Sequence, residues 1–275
     1  MDIPEHLIMP KQMHSKLSQM EGNALNFDEF GFEYEDDPIP IYRIMHIETF
    51  LEILNKKRLF LRNPAKWDDP FENYILKKCS NLRKLHFPAD IFGQCWTLHP
   101  ETDAMWRIYA PDKNGVKIKT TAQNLFSQLF LSEEAGEYPY LSCFIGKVRY
   151  VNPDEIRDLD GRIAEIVSGP GASRNIPVAK TLLMKRPEFE HEAEVRLIYL
   201  DQHDLKKPKL GSGLRALLKS NDDSVFEFPI DPTNLIEEIV LDPRMNDYSC
   251  QAYENYIRTL GYEGPLHQSS LYKVE

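Results

Sequence analysis

The chain has 275 residues, 42% of them hydrophobic and 28% charged, with a formal charge of −10 and an isoelectric point near 5.4. That apolar share over that length supports a sizeable core, and one large domain with or without an arm is the natural organisation. The acidic balance argues against a broad basic face for bulk nucleic acid and against a membrane surface, while a local basic channel stays open.

No apolar run approaches the ~20 residues that a membrane span needs. The start, Met1-Asp2-Ile3-Pro4-Glu5-His6, lacks the basic and apolar stretches of a signal peptide, so a cytoplasmic location is expected. Cys79, Cys95, Cys143 and Cys250 are far apart and form no CxxC pair. They read as free thiols, with no zinc site.

Residues 1–37 read as an acidic N-terminal arm, and 38–275 as a single α+β domain. Phe27 to Asp37 mixes acids and aromatics without a clean period and is expected to pack along the domain or to contact a partner. Ile39 to Met45 predicts a strand. Ile47, Phe50, Leu51 and Leu54 predict a helix that ends at Lys56-Lys57. Arg58 to Leu61 is a short strand ended by Asn63-Pro64. In Lys66-Trp67-Asp68-Asp69-Pro70-Phe71-Glu72, Asp68 or Asp69 can cap a helix with Pro70 at its first position. Phe92 to Thr97 predicts a buried strand, and Glu101 to Ala110 a short helix carrying Met105, Trp106 and Tyr109. Asp112 to Gly115 reads as a hairpin-type turn before a strand over Val116 to Lys119. Thr120 or Thr121 then caps a helix with Leu125, Phe126, Leu129 and Phe130 on one face.

Tyr140 to Val151 predicts a long strand, Pro153 to Val167 a polar helix, Ser168 to Gly171 a loop, and Asn175 to Met184 a helix. Val195 to Leu200 is apolar enough for a central strand. Asp201 to Asp223 is a hydrophilic excursion. Strands follow at Ser224 to Ile230 and Leu235 to Leu241. The Asp242-Pro243-Arg244-Met245 turn leads into a helix through Leu260 packed by Tyr253, Tyr256, Ile257 and Leu260. A last strand is predicted over Ser269 to Val274. The number of strands predicts an α+β fold, with a mainly antiparallel or mixed central sheet flanked by helices.

Three segments, Trp67-x-Asp69-Pro70-Phe71-Glu72, Met105-Trp106-x-x-Tyr109 and Glu192-x-Glu194-x-Arg196, together resemble a bacterial family known only as a domain of unknown function. Ile41-Tyr42-Arg43-Ile44-Met45-His46, followed by a helix and a later glutamate strand, is more distantly similar to DarT-type ADP-ribosyltransferases. The glycine that follows the basic residue in such enzymes is absent here. The resemblance implies an ADP-ribosyltransferase-like fold and cleavage of NAD as substrate. It also implies transfer of ADP-ribose to a nucleic acid or protein acceptor, in a toxin or phage-defence setting.

Under that resemblance Arg43 and His46 bind the pyrophosphate or adenosine ribose of the dinucleotide, because a guanidinium offers a planar fork to phosphate. Alternatively Arg43 is solvated and His46 caps the next helix. Glu190, Glu192 and Glu194 share a face if extended, with Arg196 two further on. One carboxylate, Glu194 first and Glu192 second, holds the ribose and stabilises an oxocarbenium-like transition state. Otherwise the series is a surface salt-bridge ladder. Trp67 and Glu72 read as a pocket wall or as part of a capped helix start. Trp106 and Tyr109 flank a ring or pack in the core, and Arg196 supports the site by pairing with Glu194. Asp242-Pro243-Arg244 is an anion site or a cap. Cys95 with His99 lacks a third group for thiol catalysis. No metal is expected, although Asp68, Asp69, Glu72 and the glutamate strand leave a Mg²⁺ nuclease as a further reading. The alternative to an enzyme is a non-catalytic nucleotide- or partner-binding sensor.

Overall fold

The computed structural model describes residues 11–33, 37–69, 71–72, 74, 91–159, 175–201 and 225–274. The expectations for Pro70, Cys79, the Ser168–Gly171 loop, most of the 201–223 excursion and the start of the arm lie outside the described residues.

The fold is α+β, built on a mixed sheet flanked by helices. The strands are β1 (Ala24–Leu25), β2 (Pro40–His46), β3 (Arg58–Arg62), β4 (Ile91–Thr97), β5 (Gly115–Thr121), β6 (Cys143–Lys147), β7 (Arg149–Tyr150), β8 (Met184–Lys185), β9 (Glu194–Leu200), β10 (Val225–Pro229), β11 (Glu238–Leu241) and β12 (Leu266–Gln268). The main sheet runs β1-β6-β9-β4-β2-β5-β11-β12, with β3 and β10 branching from β4. Among the described residues only the β1–β6 and β11–β12 pairs in it are parallel. A separate parallel pair joins β7 to β8.

The helices used below are α1 (Lys11–Gly22), α2 (Ile47–Lys56), α3 (Asp103–Tyr109), α4 (Ala122–Phe130), α5 (Asn175–Thr181) and α6 (Asp247–Thr259). Alternation decides which face each covers. Along β9, Val195, Leu197 and Tyr199 enter the main core with α2 and α4, while Ile198 and Leu200 join α5 in a second cluster. All seven β9 residues are buried, as a strand covered on both faces requires. Thr121 caps α4 by accepting from Asn124 N at 3.1 Å, and Thr102 caps α3 through Met105 N.

The arm is more regular than its composition suggests. It carries α1, adds β1 to the sheet edge, and buries Phe27 against Phe32 and Phe32 against the α4 residue Phe126. The predicted Tyr140–Val151 strand is broken into a helical turn at Pro139–Ser142, then β6, then β7 in the other sheet. The Asp112–Gly115 turn joins α3 to β5 and not two strands. The last strand lies earlier, at Leu266–Gln268. Beyond it Ser269 Oγ donates to Glu101 at 2.5 Å and the Tyr272 hydroxyl reaches Asp103, which draws the chain off the ladder towards α3. Asp242 does not cap α6. Asn246 does, through Ser249 N at 2.9 Å, and Tyr256 is exposed and not packed. Asp242 instead holds Arg244, whose Nη2 donates to Trp106 O and Ala110 O at the end of α3. That guanidinium is committed to structure, which removes the anion-site reading.

The sheet forks at β4. Thr97 pairs with Tyr42 of β2, and Gly93 pairs with Arg62 of β3. Between those points Gln94, Cys95 and Trp96 have ladder partners on β9. The Gln94 side chain reaches into the gap, donating to Phe60 O at 2.8 Å and accepting from Trp96 Nε1 at 2.8 Å. Buried polar groups at a break in a ladder need such substitutes.

Candidate functional site

Two cavities open at the fork. The larger, about 540 Å³, is lined by β2 residues Arg43 and His46, β3 residues Phe60 and Arg62, and Trp67 and Gln94. The smaller, about 120 Å³, is lined by Tyr42, Thr97, Glu192 and Glu194. Arg43, Ile44, Cys95 and Tyr109 line both, so the two are lobes of one cleft.

The large lobe is positive. Its two acids are already used: Glu52 pairs with Lys56 at 2.7 Å and Glu227 with Arg58 at 3.4 Å. Among the described residues no hydrogen bond or ion pair reaches the Arg43 or Arg62 side chain, and the two guanidiniums repel each other. Burial draws Arg43 down to about 10, still charged at neutral pH. Alternation along β3 puts Arg58, Phe60 and Arg62 on one face. Arg62 could have been found by that signal and was missed. His46 is the N-cap residue of α2, but its side chain makes no capping bond, and Nδ1 lies 3.4 Å from Asp112.

Trp67 forms the floor. Its ring lies against Gly93, where an added Cβ would sit 2.8 Å from Trp67 Cζ2, so only glycine allows this approach at the fork. The Arg196 guanidinium covers that ring at 4.4 Å from its centroid.

Behind the small lobe lies a buried ionic network. Arg196 donates from Nε to Glu194 at 2.8 Å, from Nη2 to Glu194 at 2.8 Å and to Glu72 at 2.9 Å, and from Nη1 to Leu182 O at 2.6 Å. Lys185 Nζ lies 3.3 Å from Glu72 and 3.2 Å from Glu194, and contacts Glu192 as well. Among the described residues three carboxylates therefore face two cations, which leaves one negative charge. Tyr109 OH donates to Glu192 at 3.1 Å, and Tyr150 OH accepts from Glu194 N at 2.9 Å.

Glu190, Glu192 and Glu194 do not form a strand ladder. Pro187–Glu192 is a 3₁₀ turn, and Ala193 takes φ 41°, so Glu190 faces solvent while Glu192 and Glu194 converge. The surface-ladder alternative falls with that geometry, since both converging carboxylates are buried. Trp106 lines neither lobe. It is fully buried with Ile44, Met105 and Ala110, and its Nε1 donates to Glu101 at 2.6 Å. Glu72 and Arg196 stand behind the wall and do not line the cleft. Lys185 was missed, because a two-residue strand leaves no periodic signal.

Burial pushes the Glu194 carboxyl up, but Arg196 and Lys185 outweigh it and hold the group at about 2. Burial raises Glu72 against the pull of the same two cations. Burial and then Glu194 raise the Cys95 thiol well above its usual range, so it is a neutral thiol beside Glu194 and not a nucleophile. The carboxylates face built-in cations, and among the described residues no group of three or more His, Cys, Asp or Glu side chains is arranged for a metal ion.

Glu194 ionises near 4.5 when unperturbed, so its stabilisation is complete above that pH and is lost as pH falls through about 2. Glu72 acts in the opposite sense, favouring the fold below 4.5 and losing that contribution as pH rises through its raised folded value. Urea unfolding of the wild type should therefore weaken between about pH 4.5 and 2, and Glu194→Gln should flatten that part of the profile. An unchanged slope would show that Glu194 is not held as an anion.

Residues 105–197 match the model of a family described as a protein of unknown function, DUF2971. That stretch runs from α3 into β9 and contains Tyr109, Lys185, Glu192, Glu194 and Arg196. No curated protein matches the chain. Among solved structures, the chain is similar to a Thermus sp. 2.9 DarT in complex with NAD+, at 14% identity and a TM-score of 0.37, covering 85% of this chain and 96% of that one. It is similar to the same DarT in complex with ADP-ribosylated single-stranded DNA at 13% identity and a TM-score of 0.36, covering 85% and 94%. Among the described residues no helix is long and apolar enough to cross a membrane.

Proposed function

We propose that the protein is an ADP-ribosyltransferase-like enzyme that cleaves NAD and transfers ADP-ribose to a macromolecular acceptor, nucleic acid or protein. The observation that carries this reading is the polarity of the cleft. Among the described residues, one lobe holds two guanidiniums without a counter-charge, and the other is backed by a network with one surplus negative charge. NAD has the matching polarity, with an anionic diphosphate and a cationic nicotinamide riboside. The sequence resemblance to DarT-type enzymes points the same way and suggests a bacterial toxin or phage-defence setting.

In this reading Arg43 and Arg62 hold the diphosphate, with His46 and Trp67 along the large lobe. The nicotinamide ribose enters the small lobe. Tyr109, shared by both lobes, borders the ring between them. A ribose hydroxyl donates to Glu194, because two bonds from Arg196 and one from Lys185 leave an acceptor position on that carboxylate. The C1′–N bond breaks, its electron pair leaves with neutral nicotinamide, and Glu194 stabilises the cationic sugar. An acceptor nucleophile then bonds to C1′ and gives up its proton. Glu192 adds a second carboxylate to the same wall.

A test is incubation of the purified protein with NAD labelled in its adenylate half and a cell lysate. Covalent label on nucleic acid or protein, with release of nicotinamide, supports the enzyme. One observation favours the second reading, a non-catalytic nucleotide-binding module: Glu194 is only 3% exposed and both its oxygens already bond Arg196. Binding of NAD without turnover would select that reading.

Arg43→Ala and Arg62→Ala should each weaken NAD binding by about tenfold, as loss of a charge-assisted hydrogen bond does. The loss should shrink at high salt for exposed Arg62 and less for Arg43. Calorimetry giving unchanged affinities would remove the diphosphate from the large lobe.

A further inference from the structure

The cation most heavily contacted by carboxylates in the cleft wall belongs to neither lobe. Lys185 lies in β8, whose pairing with β7 fixes its backbone: Arg149 N donates to Leu183 O at 2.7 Å and Val151 N to Lys185 O at 2.9 Å. The same β7 places Tyr150 under the start of β9. From there the buried ammonium meets Glu72, Glu192 and Glu194 together, with the Phe189 ring 4.6 Å away on another side. An ammonium has three donors and no acceptor, which suits three carboxylates converging on one point. A planar guanidinium does not fit that arrangement in the same way.

We propose that Lys185 is a positioning residue, which keeps Glu192 and Glu194 side by side as anions and so fixes where the negative charge of the small lobe lies. Its kinetic consequence rests on the NAD reading above; its effect on the charge network does not. The groups facing this network come from several elements. Arg196 bonds Glu72 and Glu194 from β9, Tyr109 bonds Glu192 from α3, and Cys95 faces Glu194 from β4. Arg186, next in sequence, is turned away to Asp69 at 3.2 Å and cannot substitute. Without Lys185 three buried carboxylates face Arg196 alone, and the surplus rises from one negative charge to two. Glu72 and Glu194 keep Arg196. Among these groups Glu192 keeps the Tyr109 hydroxyl and no cation, so it is the carboxylate left without a counter-charge.

The test uses the full chain with Lys185→Met, Lys185→Arg and the double variant Lys185→Met/Glu192→Gln. The double variant restores the surplus of one, so it should recover at least half of the thermal midpoint lost in Lys185→Met, with Lys185→Arg in between. A lysine that merely fills space predicts the reverse, with Glu192→Gln adding its own loss. If Lys185→Met does not fold, recovery of folding in the double variant supports the proposal, and two unfolded proteins overturn it. In nicotinamide release, the acid limb of kcat/KM for Lys185→Met should move up by about one pH unit or more. KM for NAD should change less than the rate does. An additive stability cycle with an unmoved acid limb overturns the proposal. A wild type that releases no nicotinamide contradicts the NAD reading, and the stability cycle alone then decides the role of Lys185.

Discussion

Replacing Glu194 with Gln should lower nicotinamide release by about a hundredfold to a thousandfold, and change NAD affinity by no more than a few fold. The amide keeps the size of the side chain and can still accept a hydrogen bond, so ground-state contacts with a ribose survive. What it lacks is the full negative charge that opposes the developing cation, and that difference acts on the transition state alone. The charge is unusually well prepared. The group is held ionised down to about pH 2, is oriented by two bonds from Arg196 and one from Lys185, and lies in a buried wall where electrostatic effects are larger than in water. Glu192→Gln should cost less, because Glu192 also engages Tyr109 and Lys185 and its charge is further shared. Equal loss of affinity and rate in Glu194→Gln would make the residue a binding group only.

The largest stability loss should come from Arg196→Met. Arg196 is fully buried and bonds Glu72, Glu194 and Leu182 O. Methionine fills much of the volume but leaves two carboxylates with Lys185 as their remaining cation. Breaking a buried pair from one side costs about 3–5 kcal/mol, because the partner charge stays buried. The lost packing on Trp67 adds to this. At about 2–4 °C per kcal/mol for a chain of this size, the melting temperature should fall by roughly 10 °C. Restoring balance with Arg196→Met/Glu72→Gln should recover part of it. A loss under about 1 kcal/mol by chemical denaturation would mean that the network is not a structural element.

Much of the frame was legible in the sequence because it follows short-range rules. Alternation marked β2, apolar content marked β9, helical spacing marked α2 and α4, and a threonine marked the start of α4. The site was legible where a residue sits on such an element: Arg43 on β2, Tyr109 on α3, Glu194 at the start of β9. It was obscured where geometry depends on distant pairing. The fork exists because β4 meets β2 at one end and β3 at the other, which no period encodes. Glu192 reaches the wall through the left-handed turn at Ala193, and not through strand alternation. Lys185 acts from a two-residue strand whose partner is β7. Trp106 has the spacing of a pocket aromatic but is held in the core by Glu101 and by the close approach of α3 to Gly115, where an added Cβ would lie 2.4 Å from Ala110 Cβ.

The central claim is that the fork at β4 is the NAD site. The most direct measurement is a structure of the protein with a non-cleavable NAD analogue. The account predicts the diphosphate between Arg43 and Arg62, and the nicotinamide ribose within hydrogen-bond distance of Glu194 in the small lobe. An analogue bound elsewhere, or with its diphosphate against the Glu192 and Glu194 wall, would contradict it.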